Sequence, residues 1–150
     1  MVIFFYDRTF EGLLTAVFDA YNRKTFPQRL MKTGETPPLF TDETYTVWTQ
    51  KASAERVWKA LERKLKKEAC NMLMRVWLSE LPGSDELLLR YIRKTFDTKL
   101  DISLNFGDAD VLEVGKIARK VGHEALYLKQ FVRFQKAADD LFFAPVRPIY

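Results

Sequence analysis

Val2-Ile-Phe-Phe-Tyr-Asp-Arg-Thr-Phe-Glu-Gly-Leu-Leu-Thr-Ala-Val-Phe-Asp-Ala-Tyr-Asn22 holds two different periods in succession. Val2–Tyr6 is an unbroken run of β-branched and aromatic residues that stops at Asp7. Its length is that of a buried strand. Thr9 then offers a side-chain oxygen to the first free amides of a helix. From Phe10 to about Asn22 the residues Phe10, Leu13, Leu14, Val17, Phe18 and Tyr21 fall on one helical face.

Working outward, Pro27, Gly34, Pro37 and Pro38 make residues 25–42 an irregular connection, with one helical turn near Gln28–Met31. Thr44–Thr49 is rich in β-branched and aromatic residues and reads as a second strand. Ser53 is placed to cap the next helix, with Glu55 in its first turn. That helix divides in two. As far as Lys67 it is amphipathic, whereas Ala69–Leu78 is apolar almost all round, as a central segment is. Leu81-Pro-Gly83 stops it. Ser84, Asp85 and Glu86 open a further helix to about Phe96, with Leu88, Tyr91, Ile92 and Phe96 inward and Arg90, Arg93 and Lys94 outward.

After the loop 105–108, Asp110 and Glu113 have capping-box spacing. A helix then runs from Val111 to about Phe131, with Gly122 a weak point. Val132–Lys136 and Leu141–Val146 read as a hairpin, against a rival in which the helix continues to Lys136. Strands at both ends and helices between them give a helix-dominated α+β fold. It has three to four main helices and a small antiparallel sheet formed by the N-terminal and C-terminal strands.

The 150 residues suit a single domain, 1–150, and 47% apolar with 14% aromatic content supports a packed globule over a disordered chain. Cys70 is the only cysteine, so no internal disulfide forms; a small buried thiol in a reducing cytoplasm is the expectation. No stretch approaches the roughly 20 apolar residues of a membrane span, and the short apolar start lacks a basic leader. A cytoplasmic protein with no membrane partner follows as the expected setting.

A net charge of +4 is too small to name a partner. Its distribution says more. Residues 51–68 carry seven cations against three acids, and Arg56, Lys59, Arg63 and Lys67 recur at helical spacing opposite Val57, Leu61 and Leu65. Lys116, Arg119, Lys120, His123 and Tyr127 line up in the same way opposite Val114, Ile117, Ala118 and Val121. Cations bind phosphates through counterion release, and a ring beside them can stack on a base. The plain alternative is a solvated face laced by pairs such as Glu55–Lys59 and Glu62–Lys66.

Other chemistry is thinly supported. One histidine and one cysteine cannot supply the usual zinc ligand sets. Asp108, Asp110, Glu113 and Glu124 invite a divalent metal, but acids at a helix start are what capping already demands. No metal, cofactor or catalytic residue is assigned. No phosphate loop, dinucleotide fingerprint or nucleophile elbow occurs.

Several longer phrases occur together: residues 8–21 of the opening helix, Trp77-Leu-Ser-Glu-Leu-Pro82, Asp85-Glu-Leu-Leu-Leu-Arg-Tyr-Ile-Arg93, Asn105-Phe-Gly-Asp-Ala-Asp-Val-Leu-Glu-Val114, Val121-Gly-His-Glu-Ala125 and Phe131-Val-Arg-Phe-Gln135. In these the chain resembles, over essentially its whole length, a bacterial family of unknown biochemical function associated with DNA metabolism and DNA repair. Members are encoded beside a radical-SAM protein of DNA modification or repair, and related domains are fused to uracil-DNA-glycosylase-like domains. The resemblance implies work around damaged or modified DNA, and transfers no catalytic residue. Family members continue past this length, so the chain stands either as the whole domain or as the N-terminal part of a longer protein.

Three functions are then in play. The first is a DNA-binding or accessory module contacting DNA through Lys116, Arg119, Lys120, His123 and Tyr127, aided by Arg56, Lys59, Arg63 and Lys67. It needs the two basic flanks to lie side by side. The second is an adaptor docking the radical-SAM or uracil-DNA-glycosylase-like partner through exposed tryptophan at 48, 58 or 77. The third is a DNA- or nucleotide-processing enzyme built on His123 and the acids Asp108 and Glu124.

Overall fold

The computed structural model describes residues 1–99, 101–102 and 105–121. In chain order these form β1 (Val2–Tyr6), α1 (Phe10–Arg23), β2 (Arg29–Lys32), β3 (Glu43–Thr46), α2 (Lys51–Lys64), α3 (Lys67–Ser79), α4 (Ser84–Asp97) and α5 (Ala109–Val121).

The fold corrects the expectation of three to four helices and an antiparallel sheet of N-terminal and C-terminal strands: among the described residues there are five helices, and the sheet is parallel and built within residues 2–46. Its order is β2-β1-β3, and both outer strands run parallel to β1. Ile3–Tyr6 align with Arg29–Lys32, and Val2–Phe5 with Glu43–Thr46. The cause is the crossover. Helix α1 carries the chain back to the amino end of β1, so the next strand runs in the same direction. The connection 33–42 repeats this on the other side without a helix. Thr33 donates its amide to the Tyr6 carbonyl at one end of β1, and Asp42 donates to the Met1 carbonyl at the other, both at 2.9 Å. Pro37 and Pro38 suit such an extended, unpaired path. Asp42 also meets the N-terminal ammonium.

Strand β2 stands where a helical turn was expected. Its edge is supported from outside: the Glu86 carboxylate accepts the Leu30 amide at 2.9 Å and lies 3.8 Å from the Arg29 guanidinium. Strand β3 ends at Thr46, earlier than Thr49, although Val47 still donates to the Phe5 carbonyl at 2.7 Å. The late segments Val132–Lys136 and Leu141–Val146 lie outside the described residues.

Thr9 caps α1 as expected, accepting the Gly12 amide at 2.9 Å. Gly12 has a second duty. A Cβ there would lie 2.2 Å from Asp7 Oδ1, an oxygen already accepting from the Thr9 hydroxyl and amide. Asp7 Oδ2 accepts from the Thr49 hydroxyl at 2.8 Å, which ties the turn after β1 to the segment after β3. Burial raises the Asp7 pKa, but the Thr9 and Thr49 hydrogen bonds outweigh it and hold the carboxyl below its ordinary value.

Phe4 and Tyr6 are fully buried in the main core, while Ile3 and Phe5 alternate to the other face. Phe10 makes an edge contact with Trp58 at 5.8 Å and a tilted one with Trp77 at 5.5 Å, joining α1 to α2 and α3. Ring pairs of this kind add about 0.5–1.5 kcal/mol each beyond simple burial. The long helical stretch breaks at Leu65 and Lys66, which are both extended. The break lets α2 pack on α1 while α3 turns to meet α4 and α5. Helix α2 begins at Lys51 rather than after Ser53; the Gln50 amide is held by Thr15 Oγ1 at 3.2 Å. Cys70 is buried, and burial pushes its thiol up to about 11. Among the described residues no helix is long and apolar enough to cross a membrane.

Candidate functional site

Helices α1 and α2 leave a groove of about 590 Å³ between them. The α1 wall is Val17, Phe18, Tyr21 and Asn22; the α2 wall is Arg56, Val57, Lys59, Ala60 and Arg63, and Phe96 of α4 closes one end. The helical period explains the arrangement. Residues 56, 59, 60 and 63 share one face, so three cations and one small residue line a single lip. Across from them, Phe18 and Phe96 are half-buried. The Arg56 guanidinium lies 5.7 Å from the Phe18 ring centroid, within cation–π range. Tyr21 is held in place: its hydroxyl donates to Asp97 Oδ1 at 2.8 Å, and its ring meets Phe26 at 4.8 Å and Phe96 at 6.0 Å. Burial, then the Asp97 hydrogen bond, raises the Tyr21 phenol above its ordinary pKa.

Arg56, Lys59 and Arg63 are exposed, and among the described residues none of them forms an ion pair. Their neighbour Lys64 is spent. Its Nζ donates to the Thr98 carbonyl at 2.6 Å and reaches the Phe96 carbonyl at 3.5 Å, closing the end of α4. Lys67 is exposed but opens α3 and does not line the groove.

The second basic set divides. Lys116, Arg119 and Lys120 are exposed on α5, which packs against α3 and α4. None of the three lines the α1–α2 groove. His123 and Tyr127 lie outside the described residues, as does Glu124. The structure therefore gathers Arg56, Lys59 and Arg63 at one groove and places Lys116, Arg119 and Lys120 on another helix.

Asp108 and Asp110, at the start of α5, are committed to the fold. Asp108, not Asp110, caps the helix: its Oδ1 accepts the amides of Asp110 at 2.8 Å and Val111 at 3.2 Å. Lys94 Nζ lies 2.9 Å from Asp108 and 2.8 Å from Asp110, and Arg90 Nε lies 3.2 Å from Asp110. The Lys94 hydrogen bond holds the Asp108 carboxyl below its ordinary pKa, with burial opposing and the two amides assisting. Asp110 in turn raises Lys94. Among the described residues no group of three or more His, Cys, Asp or Glu is placed to hold a metal ion.

A second cavity, of about 370 Å³, opens where β1 ends. The ends of parallel strands are where open α/β sheets bind ligands. Tyr6, Arg8, Trp77, Glu80, Ser84 and Asp85 line it. The Tyr6 hydroxyl donates to Asp85 Oδ2 at 2.7 Å, and Asp85 Oδ1 accepts the Glu86 amide at 2.8 Å. Burial first, and then the Asp85 charge, raises the Tyr6 phenol far above its ordinary value. Sequence reasoning missed this cavity, because its residues come from the end of β1 and the α3–α4 turn, some 70 positions apart.

A family model described as a domain of unknown function, DUF4130, matches residues 82–150. That span includes Ser84, Asp85, Phe96 and the α5 cations, and leaves out Arg56, Lys59 and Arg63. No curated protein and no solved structure matches the chain.

Proposed function

We propose that the protein is a nucleic-acid-binding module that holds a single strand along the α1–α2 groove. One observation carries this: three exposed cations without ion pairs among the described residues line the lip of a trough walled by Phe18 and Phe96. Cations track a phosphate backbone, and rings accept bases without regard to sequence. The resemblance to a family associated with DNA metabolism and repair agrees with such a role. The test is fluorescence anisotropy with a labelled single-stranded oligonucleotide across a salt titration. Three phosphate contacts predict that log K falls with log salt at a slope of about −2. No binding at low salt, or binding indifferent to salt, overturns the proposal. Tighter binding to a duplex overturns the choice of single strand.

An adaptor role has its own support. Leu39 and Phe40 are 95% and 87% exposed on the β2–β3 connection, and Trp48 is 73% exposed beyond β3. Trp58 is buried and Trp77 half-buried. A radical-SAM or uracil-DNA-glycosylase-like partner docking here should co-purify with the wild type and be lost with Phe40→Ser or Trp48→Ser. The enzyme role draws nothing from Asp108, whose carboxylate is occupied by Lys94 and two amides.

A further inference from the structure

Arg8 occupies an awkward position for an arginine. Its φ is +64°, in the left-handed region that glycine and asparagine enter easily and other residues do not. Backbone strain of this kind collects at functional positions. Among the described residues its side chain makes no hydrogen bond or ion pair. It does line the cavity at the end of β1.

The other walls define what could answer it. Glu80 is exposed at the rim, at the left-handed end of α3. Asp85 is 6% exposed, and each of its oxygens has one protein donor and further lone-pair capacity. Trp77 meets Phe10 in a tilted ring contact and is among the residues that line the cavity. A plain anion would meet two carboxylates, and a plain cation would meet the guanidinium. The ligand must carry an anionic group and N–H donors, with a flat body for the indole. An amino acid also carries both charges, but on a single carbon. Here the carboxylate is deep and the guanidinium is at the surface, so the two functions must sit at opposite ends of the ligand.

We propose that this cavity is a mononucleotide site selecting a base with an exocyclic amine. Arg8 takes the phosphate, Trp77 stacks on the base, and Asp85 accepts from the amine. The site shares no residue with the α1–α2 groove and does not depend on it. The volume of about 370 Å³ lies in the range of small-ligand pockets.

Titration calorimetry of the whole chain with CMP, UMP, cytidine and phenylalanine tests this. CMP should bind about tenfold tighter than UMP, which lacks the amine, and about tenfold tighter than cytidine, which lacks the phosphate. Arg8→Asn should bring CMP down to cytidine without lowering the melting temperature, since asparagine tolerates this backbone. Asp85→Asn should erase the preference for CMP over UMP; the amide oxygen can keep the Tyr6 bond while its NH2 faces the Glu86 amide, so near-ultraviolet circular dichroism checks that the fold survives. Removing the charges of Arg56, Lys59 and Arg63 should leave CMP affinity unchanged. Equal affinity for CMP and UMP, preference for phenylalanine, no binding at millimolar CMP, or a destabilised Arg8→Asn protein overturns the proposal.

Discussion

The cations of α2 and those of α4 look alike in the sequence and have opposite fates in the fold. Lys94 and Arg90 turn toward Asp108 and Asp110 and bind α4 to the start of α5. Arg56, Lys59 and Arg63 face the groove with no carboxylate in reach among the described residues. Both sets sit on amphipathic helices with positive outer faces. The difference is whether the fold brings acids from elsewhere to meet them. A paired cation serves stability and is poorly available to a ligand. An unpaired one adds little to stability and keeps its charge for a partner.

The largest test separates the two sets by what each loses. Arg56→Gln, Lys59→Gln and Arg63→Gln together should weaken single-strand binding about 100-fold at 50 mM salt, as expected for three lost phosphate contacts. Their unfolding free energy in urea should stay within about 0.5 kcal/mol of wild type. Lys94→Met should do the reverse. It leaves Asp108 without its cation and Asp110 with Arg90 alone, and should cost about 1–2 kcal/mol, a partly exposed site being worth less than a buried pair. Its oligonucleotide affinity should be unchanged. If Lys94→Met weakens binding as much as the triple variant, the division between the two sets fails.

The committed cluster should also have a pH signature. The folded pKa of Asp108 lies below its unfolded value of about 4. Its contribution is therefore complete above that value and is lost as pH falls through the folded pKa. Melting temperatures between pH 5 and pH 2 should fall more steeply for wild type than for Lys94→Met. Equal slopes would place the acid sensitivity elsewhere.

Arg8 is a cation of a third kind, without an ion pair among the described residues and held on a costly backbone. Arg8→Gly should raise stability by about 0.5–1 kcal/mol, the left-handed penalty less the added freedom of the unfolded glycine. A fall in stability would mean that its side chain supports the fold.

The sequence revealed some of this and hid the rest for identifiable reasons. β1 and α1 were legible because their signals are local: an apolar run, Asp7 as a stop, and Thr9 as a cap. β2 was not legible. Arg29 and Lys32 are exposed, and the strand is held by pairing to β1 and by Glu86, which is 56 positions from Leu30. Missing β2 hid the β1–α1–β2 crossover, and with it the parallel direction of the sheet. In the groove, the period of Arg56, Lys59 and Arg63 is visible in the sequence, but Phe18 and Phe96 have the spacing of core residues. Phe18 sits at the edge of its helical stripe, and nothing local shows that Phe96 comes to close the same trough.

The smallest effect is the sharpest comparison, because it concerns adjacent residues. Arg63 and Lys64 are neighbours in the basic segment, and Arg63 belongs to its helical stripe while Lys64 does not. One lines the groove, and the other closes the end of α4 through the carbonyls of Thr98 and Phe96. A cation at a helix C-terminus interacts with the free carbonyls and the dipole. Lys64→Gln should therefore cost about 0.5 kcal/mol of stability and change oligonucleotide affinity less than about twofold. Arg63→Gln should leave stability alone and weaken binding by about fivefold to tenfold. The two variants remove the same formal charge at neighbouring positions, so any difference in binding between them reflects the groove rather than net charge. If both weaken binding equally, the oligonucleotide responds to the overall positive field of the protein, and the groove loses its place as the site.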